Sequence, residues 1–255
     1  MTAVLLTISY DGTNYCGWQV QPNGRAVQQV VEEALERLLK EPVQLRASGR
    51  TDAGVHAIAM SAAFSTGQNL PLRAFVEGVN RFLPADIAIN TACIVPEGFK
   101  PITMALAKQY RYTIINSPVR SPLDRLYSWQ VREPLDLIAI EDAAKRFIGS
   151  HNFAAFRASN CAARTTVRRI DSVQISQQGT RITIDVIGGG FLKNMVRVMV
   201  GTLVDIGKGR FTPSHIDRLL RMGDRKEAGS TAPACGLCLM RVMYPEEFTS
   251  PTADV

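Results

Sequence analysis

Two hydrophobic periods alternate along residues 4–93, and they limit the folds open to this chain more than any other feature. Apolar residues at every second position are typical of strands, whereas spacings of three and four are typical of one helix face. Strands are predicted around Val4, Leu6, Ile8 and Tyr10, around Val43, Leu45 and Ala47, over 58–64, and around Ile87, Ile89, Thr91 and Cys93. Helices are predicted around Val27, Val30, Val31, Ala34, Leu35, Leu38 and Leu39, closed by Pro42, and around Leu72, Phe75, Val76, Val79 and Phe82, ended by Pro84. The order β-α-β-β-α-β is the ferredoxin-like arrangement.

The second half of the chain resembles the first in its order of elements. Strands are predicted over 106–115, 126–131, 167–176, 180–187 and 235–244, and helices over 135–148, 191–206 and after Pro213. We therefore expect an α+β protein of two ferredoxin-like halves, residues 1–98 and 105–246, with mostly antiparallel sheets and helices packed on one side. Gly98 and Pro101 weaken regular structure at the junction. An active-site cleft is expected between the halves.

Composition narrows the class of partner. The 255 residues are 46% hydrophobic, which is too apolar for disorder and long enough for two modest cores. A formal net charge of +6 favours a polyanionic partner such as nucleic acid. No apolar run reaches the length of a membrane span, so no membrane association is expected. The N-terminus runs straight into a strand without a targeting pattern, and we expect a cytoplasmic protein.

The loop at residues 48–56 is the stretch with the clearest chemical potential. It joins two predicted strands and places an acid, Asp52, between Arg50 and His56, with glycines on both sides. Glycines let a backbone approach a ligand closely, and a nearby cation keeps a carboxylate ionised, as a nucleophile or base requires. The same spacing is also typical of a hairpin loop with a surface salt bridge.

Basic residues of the second half are the other candidates. Lys193 and Arg197 lie four apart on one face of a predicted helix, where like charges disfavour the helix unless an anion or carboxylate offsets them. A solvated basic face fits that spacing equally. The second half also has a basic stretch, Arg157, Arg164 and Arg168, followed by Arg169. We expect these side chains to contact phosphates. An ordinary solvated loop would explain the same stretch.

Cysteine and glycine motifs give no support to a metal or cofactor. Cys235 and Cys238 form a C-x-x-C pair inside an apolar strand-like run, and the other three cysteines are isolated, so buried thiols explain them better than zinc or redox chemistry. The glycines at 188–190 precede a helix without the lysine of a phosphate-binding P-loop. The three histidines lack ligand spacing, and His56 is expected to support its loop.

Several blocks, in order along nearly the whole chain, resemble one family. The loop reads Gly49-Arg50-Thr51-Asp52-Ala53-Gly54-Val55-His56, and it is similar to the active-site motif of the TruA-type tRNA pseudouridine synthases. Five further blocks match the family: Tyr10-Asp11-Gly12-Thr13 with Gly17-Trp18-Gln19, Val79-Asn80 with Leu83-Pro84-Ala85-Asp86-Ile87, Tyr110-Arg111-Tyr112, Phe191-Leu192 with Met195-Val196-Arg197, and Ala232-Pro233-Ala234 with Gly236-Leu237. The resemblance implies an isomerase that converts uridine to pseudouridine at positions 38, 39 and 40 of the tRNA anticodon stem-loop.

The same resemblance implies roles for individual residues. Asp52 matches the essential aspartate, Arg50 the arginine that pairs with it or displaces the base, and Tyr110 the aromatic that stacks on uracil. Arg197 matches the arginine that pairs with the aspartate from the second half, and Leu237 an apolar residue of the uracil pocket. No redox change or energy input is needed, so no cofactor is expected. Family members are homodimers that bind tRNA.

Two departures from the family pattern leave alternatives open. A histidine and an arginine of the family's junction segment are replaced at Lys100-Pro101-Ile102, and the family's Gly-Gln reads Ala59-Met60. These changes touch no residue assigned to chemistry, but they put substrate choice in doubt. The alternative to an active synthase is therefore a catalytically silent or retargeted tRNA-binding relative. An acid–base hydrolase using Asp52 and His56 would need a second carboxylate or a serine nucleophile, and the sequence offers no comparable motif.

Overall fold

The computed structural model describes residues 1–22, 24–159, 161 and 163–248. They form two compact units, the first comprising Met1–Leu106 together with residues from Leu239 onward, and the second comprising Ala107–Cys238. The division into 1–98 and 105–246 as separate domains stays a prediction. Within the described residues, each helix is too short or too polar to cross a lipid bilayer.

The first unit has the strand order of a ferredoxin-like fold. Its elements are β1 (Thr2–Tyr10), α1 (Val27–Leu39), β2 (Arg46–Ala47), β3 (His56–Thr66), a π-helical segment (Ala74–Gly78), β4 (Ile87–Val95) and a short α2 (Pro101–Met104). The strands are ordered β4-β1-β3-β2, and each neighbouring pair is antiparallel. This order follows when two split βαβ units interlock. The predicted α+β class, with mostly antiparallel strands and helices on one side, is confirmed.

Helix α1 forms because its apolar residues fall on one face. Its buried residues are those of the predicted stripe, except that Leu38 is only half-buried: Val27, Val30, Val31, Ala34, Leu35 and Leu39. The helix ends before Pro42, because Lys40 adopts a left-handed conformation with φ 59° and donates its N–H to the Glu36 carbonyl. The carboxylate of Glu32 then accepts the Leu45 N–H at 2.8 Å, which holds the chain leading into β2 against the helix.

The second unit is built around a long antiparallel sheet. Its elements are β5 (Ala107–Asn116), β6 (Trp129–Val131), α3 (Leu137–Lys145), β7 (Gly149–Asn152), β8 (Val167–Gln178), β9 (Arg181–Gly188), α4 (Met195–Gly207), α5 (His215–Met222) and the start of β10 (Leu237–Met243). Strands β5, β9, β8 and β7 are neighbours in that order and antiparallel, and β6 pairs in parallel with the end of β5. Strand β7 was not predicted, because its four residues Gly-Ser-His-Asn carry no apolar alternation.

Helix α4 is the buried centre of the second unit. The predicted apolar stripe is buried, and so are most other positions, because the helix is packed on nearly all sides. A side chain at Gly207 would come within 2.5 Å of Ile140 in α3, so this glycine lets the two helices approach closely. The helix begins at Met195 rather than near Phe191, because Asn194 adopts a left-handed conformation with φ 62°.

Candidate active site

The Asp52 loop, residues 48–56, is held by hydrogen bonds to a distant part of the first unit. The Thr51 carbonyl accepts the Trp18 N–H at 3.1 Å, and the Thr51 hydroxyl lies 2.8 Å from the Tyr10 hydroxyl. The Asp52 carbonyl accepts the Val55 N–H, which closes a turn directly after the aspartate. Asp52 itself is half-buried. Its backbone is therefore fixed while its side chain is partly open to solvent.

Two glycines let the segment at residues 10–18 close over this loop. A Cβ at Gly12 would lie 2.1 Å from the Val55 carbonyl oxygen, far inside van der Waals contact. Gly17 has φ +108°, and a Cβ there would lie 2.6 Å from the Thr51 carbonyl oxygen. The N-terminal block and the aspartate block therefore form one structure, although 29 residues separate residues 10–18 from residues 48–56 in the sequence.

His56 has a structural position behind the loop. It is buried, and its Nδ1 accepts the Gly12 N–H at 3.1 Å. Asp11 Oδ1 lies 3.1 Å from the same nitrogen and also accepts the Thr13 N–H. These contacts tie the start of β3 to the turn after β1.

Arg50 is exposed and forms no ion pair within the described residues. The hairpin with a surface salt bridge, which the spacing also allowed, is therefore not the arrangement that Arg50 adopts here. An unpaired guanidinium at the edge of the loop can meet a phosphate or a base from solution.

Tyr110 lies on β5, on the same strand face as Lys108 and Tyr112. It is mostly buried and meets Phe191 edge-on, with ring centroids 5.1 Å apart. Lys108 is also buried, and burial lowers the pKa of its ammonium group to about 8. Lys108 was not predicted as a site residue. The sequence feature that could have identified it is a lysine at an inward-facing strand position, two residues before Tyr110. A strand normally buries an apolar side chain at such a position.

Arg197 is anchored at the start of α4. Its Nε donates to the Ala232 carbonyl at 2.8 Å, and its Nη1 donates to the Asn194 side chain at 3.1 Å. The Ala232 N–H returns a bond to the Arg197 carbonyl. The next residue, Pro233, is bonded to β5, because its carbonyl accepts the Tyr112 hydroxyl at 2.8 Å. Bonds through residues 232–233 thus connect α4 to β5.

Leu237 follows this segment and is buried as the first residue of β10. The preceding Gly236 lies against the Tyr112 ring, where a Cβ would come within 2.5 Å of the ring carbon Cζ. Tyr110 and Tyr112 share a strand face, residues 232–233 join Tyr112 to Arg197, and Leu237 follows the glycine that packs on the Tyr112 ring. We call these four residues the Tyr110 cluster.

The remaining basic residues divide into two groups. The Lys193 carbonyl accepts the Ala158 N–H at 3.0 Å, which places Arg157 in the segment beside Lys193. Lys193 precedes α4, so the prediction that it shares a helix face with Arg197 is wrong, because the left-handed Asn194 breaks the helix between them.

The other two predicted phosphate contacts lie at the start of β8. Arg164 is exposed before the strand. Arg168 is on β8, and its Nη1 donates to the Val167 and Thr165 carbonyls, so that the guanidinium is folded back onto its own chain. The structure thus brings Arg157 beside Lys193 and leaves Arg164 and Arg168 on a separate stretch.

Among the departures from the family pattern, Lys100 and Ile102 are exposed, whereas Met60 and the intervening Pro101 are buried. Met60 is fully buried, and its sulfur accepts the Ser48 hydroxyl at 3.6 Å. Pro101 is buried at the first turn of α2, where its missing N–H has no role in the helix, and its carbonyl accepts the Tyr244 hydroxyl. The cysteines are reduced, and no cluster of metal-ligating side chains occurs in the part of the chain that the structure describes.

Comparison with known sequences defines the class of protein. The family model described as tRNA pseudouridine synthase matches residues 6–101 and 143–245, which include the Asp52 loop, Arg197 and Leu237. The match covers well over half of the chain, so the protein belongs to the tRNA pseudouridine synthase family. It is an isomerase of uridine in tRNA.

Particular members of the family are similar over almost the whole chain, and those compared here are named tRNA pseudouridine synthase A. The protein from Pelobacter propionicus is 68% identical over 244 residues, covering 96% of this chain and 100% of that protein. The protein from Geobacter sulfurreducens is 55% identical over 244 residues, with the same coverage. The protein from Myxococcus xanthus is 46% identical over 245 residues, covering 96% of this chain and 92% of that protein.

Proposed function

We propose that the protein converts uridine to pseudouridine at positions 38, 39 and 40, in the anticodon stem-loop of tRNA. The observation that carries this proposal is the Asp52 loop, whose backbone is fixed and whose aspartate is half-exposed, within a family match that spans both units. The positions themselves follow from the resemblance of the loop and five further blocks to the TruA-type enzymes.

The reaction needs no external reagent. The N1–C1′ glycosidic bond of uridine breaks, the uracil turns while it is held, and C5 bonds to C1′. C5 then loses its proton and N1 gains one, so atoms and electrons balance within the substrate and solvent. The protein must supply a carboxylate, a surface that holds the detached uracil and a means of extruding the nucleotide from its stack.

Asp52 is proposed as the reacting carboxylate, adding to the base or sugar or accepting a proton. Its fixed backbone supports this role, because a carboxylate on a rigid turn loses little freedom when the substrate binds. Arg50 is proposed to help displace the target base. Its exposure and its lack of an ion pair among the described residues leave the guanidinium available to RNA.

The Tyr110 cluster is proposed to hold the uracil. Stacking on the Tyr110 ring is worth about 1–3 kcal/mol in recognition of single-stranded bases. Leu237 supplies apolar contact, and Arg197 supplies a cation whose position the Ala232 carbonyl and Asn194 fix. The four basic residues proposed to bind phosphates, which set the affinity and register of the RNA, are Lys193, Arg157, Arg164 and Arg168.

Tritium release from tRNA labelled at C5 of uridine tests the reaction, because C5 must lose its hydrogen when it bonds to the sugar. Wild type is expected to release tritium from an unmodified tRNA transcript, and Asp52→Asn is expected to reduce the rate by about 10³-fold or more. The variant should retain the wild-type circular dichroism spectrum and tRNA affinity. Transcripts in which cytidine replaces uridine at position 38, 39 or 40 assign the release to each site.

The same assay separates the catalytically silent and retargeted alternatives. Tight binding of several tRNAs by wild type without tritium release would establish a silent relative. Release that persists when all three positions carry cytidine would establish a different target, for which the changes at Lys100-Pro101-Ile102 are the sequence difference to examine first.

The resemblance also leads us to propose a homodimer in the cytoplasm. One chain has a mass of 28.0 kDa, so sedimentation equilibrium should give about twice that value for the dimer. A mass that stays at one chain across the concentration range contradicts the dimer. Fractionation of cells of the source organism should place the protein with the cytoplasmic tRNA.

A further inference from the structure

The second unit contains a cavity of about 440 Å³ in which arginine is the only charged residue type among the described lining residues. Its polar lining comes from the loop between β5 and β6 and from β6 and its end: Arg120, Arg125, Arg132, Ser121, Ser128 and Gln130. Three guanidinium groups around one cavity favour an anion, because each presents a planar set of donors that matches a phosphate. The family match, over residues 6–101 and 143–245, does not include this region.

The carboxylates near this cavity are bound to other partners. Asp124 pairs with Arg181 and accepts the Ser121 hydroxyl, and these two interactions keep its pKa below the usual range. Glu133 pairs with Lys208 at 2.9 Å. Within the described residues, none of the three cavity arginines forms an ion pair. Their charges are therefore not neutralised by the protein itself.

The loop that carries two of the arginines is held by hydrogen bonds of its own. The Ser128 hydroxyl donates to the Asp124 carbonyl at 2.8 Å, and the Gln130 amide donates to the Ser117 carbonyl at 3.0 Å. Arg125 itself donates to the Pro122 carbonyl. A site with this many internal bonds loses little conformational entropy when an anion binds.

The size and lining of the cavity indicate what it holds. Its volume falls within the range of about 300–1,000 Å³ that is typical of ligand sites, so it admits more than a bare phosphate. Its apolar lining is Ile115 and Pro122, and none of the described lining residues is aromatic. A nucleobase would find no ring on which to stack, whereas a phosphate with its ribose would find both donors and apolar contact.

We propose that this cavity binds a backbone phosphate and the adjoining ribose of the substrate tRNA through Arg120, Arg125 and Arg132. The proposal rests on the proposed function for the identity of the RNA. Ile115 lies five residues beyond Tyr110 on β5, which is roughly 17 Å along the strand, and its side chain points to the opposite face. The cavity therefore anchors the RNA away from the target uridine, and it acts on binding rather than on chemistry.

Salt-dependent tRNA binding tests this anchor. The affinity of unmodified tRNA is measured at several salt concentrations for wild type, for each single arginine-to-glutamine variant and for the triple variant. The control is Arg221→Gln, which removes the same charge from the exposed face of α5. We expect the triple variant to bind about ten-fold more weakly or worse at moderate salt, and each lost phosphate contact to reduce the salt slope by about 1.

The rate of tritium release at saturating tRNA should stay at the wild-type value in the triple variant, while the tRNA concentration needed for half-maximal rate rises. Circular dichroism and thermal unfolding establish that the variant folds. A triple variant whose affinity and salt slope equal those of Arg221→Gln overturns the proposal. Replacement of all three arginines by lysine should keep the salt slope but weaken binding, because lysine lacks the planar fork.

Two further outcomes distinguish tRNA binding at this cavity from a small-anion site and from the proposed enzymatic function. Titration with inorganic phosphate, followed by chemical shifts of the arginine side chains, tests a small-anion site. Tight phosphate binding combined with unchanged tRNA affinity in the triple variant would overturn the RNA proposal. If wild type releases no tritium but the triple variant still binds tRNA more weakly, the proposed function fails and this inference stands.

Discussion

The Asp52 loop and the Tyr110 cluster are held in place by different kinds of interaction. The loop of the first unit is fixed by backbone hydrogen bonds and by two glycines that let residues 10–18 close over it. The Tyr110 cluster of the second unit lies on regular strands and a helix, where burial and a few side-chain hydrogen bonds to residues 232–233 hold it. A loop must satisfy its backbone from elsewhere in the chain, whereas a strand or helix satisfies its own.

This difference determines where each region is vulnerable. The backbone that surrounds Gly12 and Gly17 cannot move without breaking the bonds that define the loop. The Tyr112 ring beside Gly236 is a side chain and can adjust by rotation. Substitutions that disturb the loop should therefore cost both stability and activity, and those in the cluster should cost less.

Gly12→Ala should have the largest effect, because its Cβ would lie 2.1 Å from the Val55 carbonyl oxygen. We expect the free energy of unfolding to fall by about 3 kcal/mol or more and tritium release to be nearly lost. Urea unfolding measures the first and the tRNA assay the second. The control is Gly67→Ala, where the added methyl group meets no atom within 4 Å. Equal stability of the two variants would refute the closure of residues 10–18 over the loop.

Lys108→Met should have an intermediate effect, which appears in the pH dependence of stability. The folded protein holds the pKa of Lys108 at about 8, below the ordinary 10.5, so the unfolded chain binds more protons between these values. The free energy of unfolding of wild type should therefore rise as the pH increases from about 8 to 10.5, and Lys108→Met should remove that rise.

Urea unfolding between pH 7 and 10.5 measures this effect. Lys145→Met, at an exposed position of α3, should keep the pH dependence of wild type. A stability loss in Lys108→Met at pH 7 would show that the ammonium group contributes more through its contacts than its burial costs.

Tyr112→Phe and Tyr10→Phe should have the smallest effects, and together they compare the two regions directly. The first removes the bond to the Pro233 carbonyl, and the second removes the contact with the Thr51 hydroxyl. Each should reduce the free energy of unfolding by about 1 kcal/mol. Tritium release should fall more in Tyr10→Phe, because Thr51 adjoins Asp52, the proposed reacting carboxylate. A larger loss of activity in Tyr112→Phe would reverse the comparison.

Much of the fold could be predicted because it depends on local periodicity. The α1 stripe and the alternation in β1 were correct, since an amphipathic face needs only a neighbour to bury it. Boundaries were less predictable. The start of α4 depends on the left-handed Asn194, and the end of α1 depends on Lys40, and neither residue type signals that conformation strongly.

The candidate site could be predicted only in part, for a related reason. Asp52 stands out because glycines and charges surround it within nine residues, and motifs this compact are visible in sequence. The three arginines at 120, 125 and 132 are not, because their spacing matches no helix or strand period. The folded β5–β6 loop, with its bonds to the Ser117 and Asp124 carbonyls, brings them to one cavity.

The sequence by itself determined the order of strands and helices over residues 4–93, the basic charge of the chain and the family to which its motifs are similar. These properties follow from hydrophobic period, composition and short runs of residues, which are all local. Only the tertiary structure decided that Gly12 and Gly17 let residues 10–18 close over the Asp52 loop, that Lys108 is buried and that three separated arginines share a cavity. Each of these depends on contacts between residues far apart in the chain, and such contacts exist only once the sheet has formed.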